Sequence, residues 1–436
     1  MKIEPVSFLK GEVILPGDKS VSHRSAILAS MADGTTRIDN FSASADCAST
    51  LECLRGLGVS IERDGSHVKV NGVGKTGFVR PDAPLDCGNS GTTMRLLSGV
   101  LAGQQFDSIL TGDDSLRNRP MRRVITPLAR MGAVIDAADG TAPLFIRGRN
   151  PLRSATIVPE VASAQIKSAI LLAGLNSDGI TSVIESTPTR DHTERMLRWL
   201  GTDVSEEVFE TYKKVSVSGD SDLSARDIVV PSDISAAVFF MVAASCLPGS
   251  EVWMKGVGVN GSRRAIIEVL RGFGADIEIS DERDVCNEPV ADIRVKGGLR
   301  HGTASSDRVE GDLIAGIIDE IPALAVFGTQ LDSGLVVRDA AELRVKESDR
   351  IKTVVENLRR MGADVEEFDD GFAVRRSQLK GAKIYPAGDH RIAMAFAVAG
   401  LFAEGPTQIE EAECCEVSFP GFFDVLGGVS RPSTGN

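Results

Sequence analysis

An amphipathic helix that ends in a leucine, a glycine and then a strand recurs along this chain, and the recurrence restricts the possible folds more than any single motif. It reads Leu54-Arg-Gly-Leu-Gly58-Val, Leu128-Ala-Arg-Met-Gly132-Ala, Leu197-Arg-Trp-Leu-Gly201-Thr, Leu270-Arg-Gly-Phe-Gly274-Ala and Leu358-Arg-Arg-Met-Gly362-Ala, with a degraded sixth copy ending at Val425-Leu426-Gly427. Each glycine falls where a helix C-cap calls for a left-handed residue, and the residues after it start a strand. Roughly 35 residues before each copy lies a helix of a second kind, apolar nearly all round and therefore interior. These are residues 20–32, 91–101, 164–175, 234–246, 319–328 and 389–402. A period of about 65 to 90 residues is too long for a solenoid. We expect six copies of a two-helix, several-strand α/β unit, and 436 residues exceed what one core serves, so the six divide into two domains of three.

The polar stretch 220–226 and a strand at 227–231 put the boundary near residue 228. If the strand at 6–15 completes the later domain, the chain crosses twice. The domains are then 16–228 and 1–15 plus 229–436, with Lys19 beside a hinge and the active site in the interdomain cleft at which the buried helices aim their N-termini.

The formal charge of −13 argues against nucleic acid or a membrane surface as partner, but not against a small anion, which responds to a local cluster. Met-Lys-Ile-Glu-Pro has no apolar run after its lysine, which argues against a secretory signal. The longest apolar stretches, 236–246 and 393–403, fall short of the ~20 residues that a membrane span needs. Seven cysteines without a CxxC pair argue against a disulfide framework or structural zinc. The histidines, His23, His67, His192, His301 and His390, have no metal-ligand spacing, and two Trp and two Tyr make no base-stacking surface. The expectation is a cytoplasmic monomer with no metal and no cofactor.

What stands at the starts of the buried helices points to anions. Leu15-Pro-Gly-Asp-Lys-Ser-Val-Ser-His-Arg24 is a turn that opens into a helix, with Pro16 and Gly17 stopping a strand at 13–15 and Ser20 or Ser22 as its cap. Lys19 and Arg24 project where free N–H groups and the positive end of a helix dipole converge. Cys87-Gly-Asn-Ser-Gly-Thr-Thr-Met-Arg95 is a glycine-rich turn whose N–H groups can cradle a phosphate or carboxylate, and Arg119 before Pro120 is held extended. Ser163-Ala-Gln165 supplies neutral groups for hydroxyls, and Ser186-Thr-Pro-Thr-Arg190 a further serine and arginine. Asp233 and Ser235 open the fourth buried helix, Asp319-Glu320 the fifth and Gly388-Asp-His-Arg391 the sixth, while Leu343-Arg-Val-Lys-Glu-Ser-Asp-Arg350 gathers Arg344, Lys346, Glu347 and Arg350 within eight residues. Cations at helix N-termini oppose the dipole and are costly beside apolar surface, unless anions fill the space between them.

Together these motifs resemble those of the 5-enolpyruvylshikimate-3-phosphate synthase family: Pro-Gly-Asp-Lys19-Ser20 with Arg24, Gly-Asn89-Ser-Gly91-Thr92 with Arg95, Arg119-Pro, Arg344-Val-Lys346-Glu347-Ser-Asp-Arg350 and Asp389-His390-Arg391. They stand in the family's order from end to end of the chain. The resemblance implies a two-domain inside-out α/β barrel, the enolpyruvyl transferase fold, of six βαβαββ-type units. It also implies transfer of the enolpyruvyl group of phosphoenolpyruvate to the 5-hydroxyl of shikimate 3-phosphate, through a tetrahedral intermediate that loses phosphate. By the same resemblance, Lys19, Asn89, Gly91, Arg119, Gln165, Arg350 and Arg391 hold phosphoenolpyruvate. Lys19, Ser20, Arg24, Ser163, Ala164, Gln165, Ser186, Arg190, Asp319 and Lys346 surround shikimate 3-phosphate. Asp319 is the base at the 5-hydroxyl, Glu347 the proton donor to C3, with exchange of the two roles left open, and Lys19 acts in catalysis as well as binding.

Two departures resemble the glyphosate-tolerant branch of that family: Val417 stands where some members carry a Lys, and Thr189–Arg190 replace an expected Tyr. Gly91 keeps the small residue of the sensitive branch, so the expectation is that glyphosate is not sterically excluded. The alternatives are UDP-N-acetylglucosamine enolpyruvyl transferase, whose usual reactive cysteine is missing from 113–119, and a non-catalytic anion-binding scaffold. Cations facing a hinge predict domains that close when anions arrive.

Overall fold

The computed structural model describes residues 1–300, 302 and 306–432. His301 lies outside them. The five glycine-ended repeats close their helices identically, over Ala45–Gly56, Arg122–Arg130, His192–Trp199, Ala265–Gly272 and Arg350–Arg360. Gly58, Gly132, Gly201, Gly274 and Gly362 take φ between 81° and 98°. Each donates its N–H to the carbonyl three residues back, and the next residue donates to the carbonyl five back, all at 2.9–3.1 Å. This double closure is the Schellman motif, for which glycine is preferred because the left-handed turn costs it nothing. Arg55, Arg198, Arg271 and Arg359 add a staple, donating to the carbonyls of Ile61, Val204, Ile277 and Val365 six residues on, at 2.8–3.3 Å. The sixth copy differs from expectation: the helix Phe422–Val429 runs on through Gly427 and Gly428, with no left-handed residue there.

The buried helices run Lys19–Met31, Gly91–Ala102, Ala164–Gly174, Ile234–Cys246, Ile321–Gly328 and His390–Leu401. The fifth begins two residues later than expected, because Pro322 suits the first turn and leaves Asp319 and Glu320 in the preceding turn. The first is capped by Asp18, whose Oδ1 accepts from the Val21 N–H at 2.8 Å, and not by Ser20 or Ser22. Ser22 Oγ instead accepts from the Ser42 N–H at 3.0 Å. The strand before it ends at Val13, and the one expected at 227–231 is only Ile228–Val229.

The chain divides into two units: Gly17–Val230 with Asp284–Glu288, and Met1–Pro16 with Pro231–Arg283 and the chain from Pro289 onward. Each has three sheets, open among the described residues. In the first unit, Leu85–Asp86 pairs in parallel with Asp107–Thr111, which continues antiparallel to Leu144–Arg147 and then Val134–Ala137. Thr156–Ile157, Ile180–Glu185, Lys213–Ser218 and Val204–Val208 repeat that order. In the third sheet the parallel partner of Asp33–Asp39 is Ile228–Val229, from the far end of the unit. In the second unit the parallel partner of Glu251–Gly258 is Val6–Val13, from the chain's start. A parallel pair requires a crossover, and where the paired strands follow one another in sequence, as in the first two sheets, the buried helix between them makes it. The repeat is thus βαβαββ, with the first strand of two copies supplied from elsewhere in the sequence.

The two hydrophobic cores share no residue. In Ile234–Cys246 every position but the last is buried, which explains a helix without a polar face. Helices Gly91–Ala102 and Ala164–Gly174 approach until a Cβ on Gly99 would stand 2.1 Å from the Ala169 carbonyl oxygen.

Candidate active site

The motif residues gather into a group in each unit. In the unit of Gly17–Val230, Lys19 Nζ lies 2.9 Å from Asp46 Oδ2, in the first turn of the helix Ala45–Gly56. Arg24, five residues along the Lys19 helix, is buried. It donates through Nε to Thr193 Oγ1 at 2.9 Å, through Nη2 to Ser168 Oγ at 3.0 Å and through Nη1 to the Ser20 carbonyl at 2.9 Å. Burial, opposed by Glu194 and assisted by nearby Arg190, lowers its pKa to about 10. His23, between the two cations, is fully buried with Nδ1 2.7 Å from Thr50 Oγ1. Burial first, then Lys19 and Arg24, hold its pKa well below the usual imidazole range, so the ring is neutral at neutral pH.

A chain of buried hydroxyls runs from His23 through Thr50 and Thr93 (2.6 Å) to Ser90 (2.7 Å), whose Oγ caps the helix at Gly91. It ties the Lys19 helix to the glycine-rich turn. Asn89 Oδ1 accepts from Arg119 Nη2 at 2.7 Å, and Asn89 Nδ2 donates to Asp113 at 2.7 Å. Gln165 Oε1 accepts from Arg95 Nη1 at 2.7 Å, and its Nε2 donates to Thr92 Oγ1 at 2.9 Å. A Cβ on Gly91 would meet Arg95 Nη1 at 2.8 Å and Arg119 Nη1 at 3.5 Å, so the glycine admits both guanidiniums to the backbone. Asn89, Gly91, Arg119 and Gln165 therefore share one site, with Arg95 as the member to which sequence reading assigned no role. Ser163 holds the N-cap position before Ala164 but makes no cap bond. Ser186 is exposed and Arg190 half-buried, on the loop after the strand Ile180–Glu185.

In the second unit the centre is Arg350, with its side chain 1 % exposed. Nη2 lies 2.5 Å from Glu347 Oε2, Nη1 3.4 Å from Asp319 Oδ1, and Nε 2.8 Å from Asp389 Oδ2. Burial alone would lower the Arg350 pKa, but Asp389 and Glu347 overcome it and raise it above its ordinary value. Asp389 caps its own helix through the Arg391 N–H and accepts from Ser348 Oγ. Arg391 Nη1 donates to the Asp319 carbonyl at 2.9 Å. Lys346 pairs with Glu342 at 3.6 Å, and burial lowers its pKa against the pull of Asp319 and Glu342. Arg344 belongs elsewhere: it clasps Asp349, Glu367 and the carbonyls of Phe368 and Asp369. The two carboxylates expected to move protons thus sit on one guanidinium, each about one-fifth exposed. A substrate carboxylate or phosphate arriving there would compete with them for it.

The partners that sequence reading missed are Asp46, Thr193, Ser168, Asp389 and the buried trio Lys167, Glu185 and Glu194. Asp389 had appeared only as a motif letter. No helix of the described residues is long and apolar enough to cross a membrane.

A family model described as "EPSP synthase (3-phosphoshikimate 1-carboxyvinyltransferase)" matches residues 3–426. The 3-phosphoshikimate 1-carboxyvinyltransferase of Pelotomaculum thermopropionicum is 54% identical over 97% of this chain and 96% of its own length. That of Citrifermentans bemidjiense is 48% identical over 98% of both chains. The solved EPSP synthase of Acinetobacter baumannii superposes with a TM-score of 0.87 at 42% identity, covering 99% of this chain and 98% of its own. The two-domain α/β fold is therefore that of the enolpyruvyl transferases, and the UDP-N-acetylglucosamine alternative is not favoured. With end-to-end likeness on all three comparisons and the motif residues grouped as described, the chain belongs to the EPSP synthase family, the 3-phosphoshikimate 1-carboxyvinyltransferases.

Proposed function

We propose that the chain transfers the enolpyruvyl group of phosphoenolpyruvate to the 5-hydroxyl of shikimate 3-phosphate and releases phosphate, and that the Lys19 and Arg350 groups serve this one reaction. The observation that carries the reading is the Arg350 guanidinium with Asp319 and Glu347 on its two terminal nitrogens. Arg350, Arg391, Lys19 and Arg119 take the carboxylate and phosphate of phosphoenolpyruvate, with Asn89, Gly91 and Gln165 completing its cradle. Ser20, Arg24, Ser163, Ala164, Gln165, Ser186, Arg190 and Lys346 hold shikimate 3-phosphate. As the substrate carboxylate engages Arg350, Asp319 and Glu347 are freed to work.

Asp319 takes the proton of the 5-hydroxyl while Glu347 gives one to C3, and the new C–O bond forms at C2. In the second half Glu347 recovers a proton from C3, the double bond re-forms, and the C2–O bond to phosphate breaks, the phosphate leaving with the proton that Asp319 had taken. Each placed acid or base contributes about 10² to 10⁴ in rate, and the cations stabilise the charge that builds on the departing phosphate. No cofactor enters the scheme. The same reading has the chain act as a cytoplasmic monomer apart from nucleic acid, in keeping with its net charge of −13 and seven unpaired thiols.

Phosphate release from phosphoenolpyruvate, with shikimate 3-phosphate or UDP-N-acetylglucosamine as acceptor, tests the reading. Release with shikimate 3-phosphate alone is expected. Release with the nucleotide sugar, or binding of both substrates without release, would overturn it.

A further inference from the structure

Lys167 is an interior residue of the helix Ala164–Gly174, and its side chain is 1 % exposed. Its ammonium lies 2.8 Å from Glu185 Oε2 and 2.7 Å from Glu194 Oε1, and donates to the Thr189 carbonyl at 3.3 Å. The other oxygen of Glu185 accepts from the Thr189 N–H at 3.2 Å and from its hydroxyl. Thr189 is therefore gripped at N–H, carbonyl and hydroxyl, in a stretch with no helix or strand of its own. Arg190 follows it directly, and Ser186 stands three residues before it.

The cluster reaches a second site residue. Ser168, beside Lys167, and Thr193, beside Glu194, share a hydroxyl bond at 2.7 Å, and Arg24 donates to both. Two consecutive residues on the Lys167 helix thus lock to two on the helix His192–Trp199. Burial opposes the Lys167 charge, but Glu194 and Glu185 raise its pKa on balance, so it stays an ammonium. Burying such charges is costly, and apolar side chains of like volume often give equal or greater stability. Packing alone does not call for them; a grip on a loop's backbone does, because both its N–H and its carbonyl need partners.

We propose that Lys167 and Glu185 are a positioning pair for shikimate 3-phosphate, gripping Thr189 so that Ser186 and Arg190 are presented to the substrate. The inference rests on the functional reading above. It does not make either residue catalytic, since each acts through the loop.

The test is steady-state kinetics of the full chain carrying Glu185→Gln or Thr189→Val, with each substrate varied in turn. Thr189→Val removes only one hydroxyl and leaves the ion pairs intact, so its fold is retained. The expected result is a rise in KM for shikimate 3-phosphate, about tenfold for Glu185→Gln and about threefold for Thr189→Val, with kcat and the KM for phosphoenolpyruvate within about twofold of the parent. An unmoved KM for shikimate 3-phosphate, with only the melting temperature lowered, would show the cluster to be packing and overturn the proposal. Equal losses for both substrates would also overturn it. If the parent fails to turn over shikimate 3-phosphate, the functional reading falls and this inference with it; a competent parent with unmoved variants fells the inference alone.

Discussion

Arg350 shows how a residue can be read correctly as charged and still be incompletely understood from sequence. A cation just ahead of apolar surface needs an anion, which made Lys19, Arg24, Arg350 and Arg391 visible as candidates. Which anion answers each one is decided by tertiary approach: Asp46 meets Lys19 across 27 residues, Glu185 meets Lys167 across 18 and Asp389 meets Arg350 across 39. Spacing along a chain carries no trace of such pairs, and Lys167 within an apolar helix gave no signal at all. His23 yields a prediction at this scale. Its folded-state pKa lies below the unfolded value, so the unfolded chain binds the extra proton and stability falls as pH drops below about 6.5. Against a His23→Gln variant, the parent should lose about 1 kcal/mol or more between about pH 7 and pH 5. Urea titrations at the two pH values measure it, and a parent-to-variant difference that stays constant would contradict it.

The helix ends explain why the repeat could be read so far. A left-handed glycine after a leucine is a local requirement of the Schellman closure, so it survives in five copies whose other residues diverge. Apolar helices were equally plain, because burial on all faces leaves no continuous polar stripe. Two of the short strands were not: Leu85–Asp86 and Thr156–Ile157 are too brief for an alternation to be recognised, whereas Ile228–Val229 was expected but drawn too long, at 227–231. The start of the fifth buried helix was misplaced for a different reason, since Asp319 and Glu320 look like a first turn until Pro322 is weighed.

Two glycine-to-alanine changes separate the demands on elements. Gly362→Ala meets nothing within 4 Å and pays only for φ +81°, so it should cost about 1 kcal/mol. Gly99→Ala drives a Cβ into the Ala169 carbonyl and should cost about 3 kcal/mol. Equal shifts in the denaturation midpoints would contradict the assignment.

At the scale of the molecule, the six units were countable from sequence, but the strand exchange was readable only in part. A strand such as Ile228–Val229 carries no mark that its partner lies almost two hundred residues earlier, at Ile38–Asp39. The two cores share no residue, and each unit contains one of the two tryptophans, Trp199 and Trp253. Trp199→Phe and Trp253→Phe variants therefore leave one reporter per unit. Their fluorescence should give two distinct urea midpoints in the absence of substrates, since separate cores need not melt together; coincident midpoints and slopes would show that the two units unfold as one. The central claim is that Asp319 and Glu347, set on one guanidinium, move the two protons of an enolpyruvyl transfer. It is tested most directly by single-turnover release of phosphate from phosphoenolpyruvate with shikimate 3-phosphate, in the parent, Asp319→Asn and Glu347→Gln chains. The parent should release phosphate and each variant should lose about 10² to 10⁴ in rate, with both substrates still bound. Variants that release phosphate at the parent's rate would contradict it.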